Sequence, residues 1–208
     1  QREFYEALTR NGYIIPLGEL HESNMEHLTE DTTKETKTLS VRSVKQNFRT
    51  MFYGLSLRQV NYVDMTEGES RTVWEVRNLP DIRKYMTNPE PFSFESHTAF
   101  VKRLETDPNK LFLAYFEGES LVGTINFVEI GIDSSAERGL FVNPEYQGHG
   151  MAQILEKLSE REAKARGVRY LVAKVKNDNP SSLAFHRKAG YKLMNTDGEY
   201  SYYKRNIY

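Results

Sequence analysis

Leu140-Phe141-Val142-Asn143-Pro144-Glu145-Tyr146-Gln147-Gly148-His149-Gly150-Met151-Ala152 decides the fold. An apolar strand ends, Pro144 turns the chain, and two glycines open a helix. Glycine has no Cβ, so the backbone N–H groups of Gly148 and Gly150 can converge on an anion. The positive end of the helix that follows, read over Met151–Arg166, points at the same place. The physical reading is a phosphate or pyrophosphate cradle. The alternative is a tight strand–helix turn with no ligand. Two nucleotide motifs fail here. No Gly-Lys-Ser/Thr is present, so this is no P-loop. There is no third glycine, and the next strand runs into Lys176-Asn177 rather than an acid, against a dinucleotide fingerprint.

Outward from that loop the text is α/β. Upstream, Val60–Met65 alternates as a strand, Thr72–Arg77 and Asp81–Met86 flank Pro80 as short helical pieces, and Ser93 caps a helix ending near Thr106. Leu111–Glu117 and Leu121–Ile130 form a hairpin, and Glu137–Val142 is the strand that enters the loop. Downstream, Met151, Ile154, Leu155 and Leu158 make one helical stripe, stopped by Gly167. Tyr170–Val175 is a strand, Pro180–Lys188 a helix closed by Gly190, and Tyr191–Leu193 and Tyr200–Lys204 are strands around Thr196-Asp197-Gly198. The pattern specifies a mixed sheet with helices packed on it.

Residues 1–56 read differently. Arg2–Thr9 and Val41–Tyr53 have helical spacing, and 30–38 is almost wholly polar, as a loop or linker is. The expected division is a small N-terminal extension, 1–56, and one α/β domain, 57–208.

Composition removes other classes. The 208 residues carry 28 Lys+Arg against 29 Asp+Glu, a net charge of −1, which gives no support to nucleic-acid binding. There is no cysteine, which excludes disulfides, zinc–thiolate sites and thiol nucleophiles. No two histidines have ligand spacing, so no metal is expected. No run of about 18 apolar residues spans a membrane. No basic-then-apolar leader opens the chain, and the expected location is cytoplasmic.

The loop resembles that of the GNAT superfamily of N-acetyltransferases. Their acetyl-coenzyme A loop reads Gln/Arg-x-x-Gly-x-Gly/Ala, which Gln147 through Ala152 match at every specified position. A second block agrees: the strand Tyr170–Val175, then Asn179-Pro-Ser-Ser182-Leu183-Ala184-Phe185-His186, then Lys188-Ala-Gly190-Tyr191. The resemblance covers about 57–208. Within the superfamily the chain is most similar to the aminosugar N-acetyltransferases of the pseudaminic acid pathway, through Trp74, Arg77-Asn78, the His97 helix and the hairpin. The N-terminal extension resembles the tail of the nucleotide-sugar hydrolase of that pathway, which would make 1–56 the remnant of a fused domain.

The resemblance implies a mostly antiparallel sheet with helices on both faces and a splayed central strand pair. It implies acetyl-coenzyme A as cosubstrate, with no metal. Backbone groups of Phe141 and Val142 would pair with the pantetheine amides, and the Val142 N–H would face the developing oxyanion. Gln147, Gly148, His149, Gly150, Met151 and Ala152 would hold the pyrophosphate, with the His149 side chain exposed. Asn179 and Ser182 would contact the coenzyme arm; the alternative for both is a helix-capping role. His186 stands where the family commonly has a tyrosine general acid. An imidazolium could protonate the thiolate, since its ordinary pKa is about 6.5, but burial would lower that fraction. A packing or hydrogen-bonding role is the other reading. Glu137 is the first choice of base, with Glu129 and Asp133 more simply read as solvated strand-end carboxylates.

Trp74, Arg77, Asn78 and Met86 would line the acceptor side, Arg77 pairing with a nucleotide diphosphate. The expected activity is acetyl transfer to a small amine, favoured acceptor a nucleotide-linked 4-amino sugar. The alternatives are a ribosomal-protein, peptide or polyamine acetyltransferase, and a coenzyme A-binding protein without chemistry. A homodimer is left open as the assembly.

Overall fold

The computed structural model describes residues 57–208. The helices read over Arg2–Thr9 and Val41–Tyr53, the polar stretch 30–38 and the hydrolase likeness lie outside the described residues.

Seven strands form one sheet: β1 Leu57–Asn61, β2 Leu111–Glu117, β3 Ser120–Val128, β4 Ser135–Val142, β5 Tyr170–Lys176, β6 Lys192–Thr196 and β7 Tyr200–Asn206. Their spatial order is β1-β2-β3-β4-β5-β7-β6. Every neighbouring pair is antiparallel except β4–β5. The helices are α1 Glu67–Asn78, α2 Pro80–Arg83, α3 Phe94–Leu104, α4 Met151–Ala165 and α5 Pro180–Lys188.

Strand alternation produces two cores, one on each face. In β2, Leu113 and Tyr115 join Ile154, Leu155 and Leu158 of α4, whereas Ala114 and Phe116 join Val73 of α1, Ile82 of α2 and Leu104 of α3. The expected helices on both faces are therefore present. Gly123 of β3 lies directly under α4: a Cβ there would stand 2.4 Å from the Phe141 carbonyl oxygen and 2.8 Å from Leu155.

Several boundaries depart from expectation for local reasons. The strand read over Val60–Met65 stops at Asn61, whose Oδ1 accepts from the Val63 N–H and starts a 3₁₀ turn over Tyr62–Asp64. The piece read over Thr72–Arg77 is the end of a twelve-residue helix. It begins at a capping box in which Thr66 and Glu69 satisfy each other's N–H groups. The strand read from Tyr191 begins at Lys192, because the Tyr191 N–H reaches back 3.0 Å to the His186 carbonyl at the end of α5. Helix α4 ends as expected at Gly167, whose φ of +74° follows the Val168 N–H reaching back to the Ala163 carbonyl.

Candidate active site

The parallel strands β4 and β5 pair at Ser135–Tyr170, Ala136–Leu171 and Glu137–Val172, and no further. Both continue, β4 to Val142 and β5 to Lys176, so they part at Arg138. On its other edge β4 stays paired to β3, and the Asn143 N–H reaches the Val122 carbonyl at 2.9 Å. Edge alternation then turns the Phe141 N–H and carbonyl toward β3 and those of Leu140 and Val142 toward the gap. The Val142 N–H therefore faces the gap, whereas the Phe141 backbone belongs to the pairing with β3 and its ring to the core under α1–α3. Leu140, which the sequence reading missed, takes its place; counting alternate residues back from Val142 would have found it.

The loop after β4 is built by its own side chains. Asn143 is buried, donates to the Leu121 carbonyl and accepts from the Glu145 N–H. Gln147 donates through Nε2 to the Val142 carbonyl at 2.9 Å, so its side chain braces the loop and leaves its backbone to face a ligand. Gly148 and Gly150 have φ of +74° and +80°, the left-handed region that side chains resist. No side chain caps α4 at Gly150. Among the described residues no hydrogen bond uses the N–H groups of Gly148, His149, Gly150, Met151 or Ala152. A Cβ on Gly148 would meet nothing within 4 Å, so the cradle opens outward. These donors suit a pyrophosphate. The His149 ring is half-buried rather than exposed, with Nδ1 unpartnered among the described residues.

For His186 the geometry favours the second of the two readings. It is 5% exposed. Nδ1 lies 2.7 Å from the Ser182 carbonyl and Nε2 lies 3.0 Å from the Arg138 guanidinium. Arginine only donates, so Nε2 accepts and the single proton sits on Nδ1. Burial, then the Arg138 charge, push the imidazole down to about 3. A neutral ring with its proton held by a carbonyl is a poor acid, and the geometry assigns His186 the hydrogen-bonding role. Asn179 has the geometry of the capping alternative, its Oδ1 accepting from the Ser182 N–H at 3.0 Å, whereas the Ser182 hydroxyl lies 3.3 Å from His186 Nδ1.

Arg138 also meets Glu156 of α4 at 2.8 Å, with side-chain exposures of 2% and 3%. That contact is ionic rather than a directed hydrogen bond. The Tyr191 hydroxyl accepts from Arg138 and donates to the other Glu156 oxygen at 2.9 Å. Arg205 of β7 closes the set on Glu156 and Glu160. This network ties together β4, α4, β7 and the end of α5. Its signal in the sequence was one acid, Glu156, beside the apolar stripe of α4.

The opposite face carries the acceptor-side candidates. Glu137 is half-buried at the last β4–β5 pair. Burial, then the charge of Glu129, raise its carboxyl above the usual range, while Lys174 opposes them. Glu129 and Asp133 are exposed. The polar groups of Trp74 and Asn78 are engaged within the fold: both donate to the Phe92 carbonyl, at 2.8 and 3.0 Å, and Asn78 also accepts from the Phe92 N–H. Met86 packs against the α1–α3 core. Arg77 is different. Its guanidinium lies 5.7 Å from the Phe92 ring centre, and its buried Nη1 has no partner among the described residues. His97, 4% exposed, likewise leaves Nε2 unpartnered. Burial, then Arg77, hold His97 down to about 4, so it too is neutral.

The model of the acetyltransferase (GNAT) family matches residues 74–191. A curated relative, "Acetyltransferase PseH" of Campylobacter jejuni, is 28% identical over 142 residues, 68% of this chain and 88% of the relative. The crystal structure of C. jejuni PseH with acetyl coenzyme A superposes with a TM-score of 0.58 at 23% identity, over 72% of this chain and 98% of that one. A spermidine N-acetyltransferase of Vibrio cholerae, solved with CoA and spermine, gives 0.64 at 19% identity over 73% and 95%. At these identities the solved structures share the fold with this chain.

Proposed function

The chain belongs to the acetyltransferase (GNAT) family, and from that premise we propose that it moves an acetyl group from acetyl-coenzyme A to the primary amine of a nucleotide-linked 4-amino sugar. Support for the cosubstrate comes from the β4–β5 gap and the cradle at the start of α4, and from the acetyl-coenzyme A complex of the similar PseH structure. The pantetheine arm lies along Leu140 and Val142, and its pyrophosphate on the N–H groups of Gly148 to Ala152. No helix among the described residues is long and apolar enough to cross a membrane. The supply of acetyl-coenzyme A favours a cytoplasmic location.

The transfer is direct. The amine nitrogen forms a bond to the thioester carbon, the carbonyl oxygen takes negative charge, and the C–S bond then breaks. The Val142 N–H faces that oxygen. Glu137 draws the proton from the amine, its raised pKa bringing a carboxylate closer to neutral pH. His186 supplies no proton, so the thiolate takes one from water, and Glu137 returns the amine proton to solvent.

The observation that carries the acceptor class is the buried Nη1 of the half-buried Arg77 guanidinium, which has no partner among the described residues. A buried polar nitrogen left without a partner is costly, and a phosphate oxygen would relieve it. The unpartnered His97 nitrogen beside it adds a neutral contact. The similarity to proteins named PseH agrees with an aminosugar acceptor of the pseudaminic acid type. The test is steady-state kinetics on nucleotide-linked amino sugars, spermidine and ribosomal-protein peptides. Arg77→Ala should raise KM for the nucleotide-linked sugar by at least about tenfold, roughly 1.4 kcal/mol, and leave acetyl-coenzyme A affinity alone. Preference for a peptide or polyamine, with Arg77 indifferent, would overturn this reading of the acceptor.

A further inference from the structure

On the sheet face opposite α4, β3, β4 and β5 present a polar row beside the point where β4 and β5 part. Glu137 is its first member. Two residues on, Gly139 is paired with Asn126 of β3, and the Asn126 amide lies over it. A Cβ on Gly139 would stand 2.4 Å from Asn126 Oδ1 and 2.9 Å from Nδ2. The absent side chain at 139 therefore makes room for that amide. Asn126 is half-buried, and its side chain makes no hydrogen bond among the described residues. A half-buried amide on a sheet floor whose hydrogen-bonding capacity no described residue uses is poised to meet a ligand.

Lys174 enters the same row from β5. Its register partner is Tyr202 of β7, and its Nζ stands 3.9 Å from the Tyr200 ring centre and 6.0 Å from that of Tyr202. Ala173 and Val175 on either side of it sit in the core under α4, so strand alternation puts Lys174 on the face that carries Glu137. Lys174 makes no ion pair among the described residues. The acids it feels are Glu137 and Asp197, and Asp197 is already held by the Glu199 and Tyr200 N–H groups and the Tyr202 hydroxyl. Two aromatic faces hold the ammonium beside the row, where opposite charge from a ligand would be welcome.

We propose that Asn126 and Lys174 are acceptor-specificity residues flanking Glu137, and that together they select an amine that also carries hydroxyls and an anionic group over a polycation. This rests on the acetyltransferase reading above. Asn126 takes a sugar hydroxyl or ring oxygen, and Lys174 takes a phosphate oxygen. The same ammonium repels the second charge of a polyamine. It also disfavours the protonated form of the acceptor's amine, which must be neutral to attack.

The test compares kcat/KM for a nucleotide-linked 4-amino sugar, glucosamine 6-phosphate and spermidine in the wild type, Lys174→Ala, Lys174→Glu and Asn126→Ala. Melting temperature and acetyl-coenzyme A affinity check that each variant is folded and loaded. Lys174→Glu should lower the ratio of anionic to cationic acceptor use by at least about a hundredfold, with Lys174→Ala between. Asn126→Ala should lower kcat/KM for the sugars about tenfold and leave spermidine unchanged. If the wild type turns over the nucleotide-linked sugar while Lys174→Glu and Asn126→Ala match it, this inference fails and the acceptor reading stands. If only glucosamine 6-phosphate is used, with the expected Lys174 dependence, the inference stands and the nucleotide part of the acceptor falls. Wild-type preference for spermidine overturns both.

Discussion

The Arg138 guanidinium donates to Nε2 of His186 across 3.0 Å, and this contact fixes the tautomer of the ring that the family resemblance offered as general acid. With the remaining proton given to the Ser182 carbonyl, the imidazole is neutral and fully engaged. With a pKa of about 3, its charged fraction at pH 7 is about 10⁻⁴. His186→Gln keeps a donor and an acceptor. We expect kcat within about threefold of wild type, a lower melting temperature, and no movement of the alkaline limb of the rate profile. A hundredfold loss of kcat at unchanged melting temperature would return the proton-donor role to His186.

The two buried histidines make stability depend on pH. Their folded values, about 3 for His186 and about 4 for His97, lie below the unfolded value of about 6.5. Between these limits the unfolded chain binds protons that the folded one refuses, so stability rises with pH. Their contribution is complete above about 6.5 and is lost as pH falls toward 4 and then 3. Urea midpoints should be flat from pH 7 to 8 and fall steeply below 6.5. His186→Gln should flatten that fall; an identical slope in the variant would show that His186 does not contribute to it.

Arg138 and Glu156 should behave as a coupled pair. Arg138→Met strands a carboxylate that is 3% exposed, and breaking such a pair costs about 3–5 kcal/mol. Arg205 at 3.3 Å moderates the loss. The double variant Arg138→Met/Glu156→Leu should recover part of the stability by urea denaturation. Additive losses would show that the two charges do not interact.

The cradle is tested by charge. Gly150→Asp forces a side chain onto a φ of +80° and sets a carboxylate beside the N–H groups that face outward. Wild type should gain melting temperature with acetyl-coenzyme A by mass action, and the variant should not. Unchanged affinity by calorimetry would remove the pyrophosphate from this loop.

Local chemistry determined much of this protein in advance. Two glycines between an apolar strand and a striped helix specified the cradle, because left-handed backbone and free N–H groups follow from residue type within a few positions. The hairpin, α4 and α5 were legible for the same reason: period, cap and stop are short-range. What the sequence left open was which polar side chains had already been claimed. Asn179, Trp74 and Asn78 have ligand-binding chemistry, yet their hydrogen bonds go to Ser182 and Phe92. His186 has the chemistry of an acid, and loses it to Arg138, 48 residues away. Asn126 gained significance only when β3 laid it over Gly139. Hydrogen-bond capacity is finite and is shared out by neighbours in space. The residue type states what a side chain can do, and the tertiary structure decides whether anything is left to do it with.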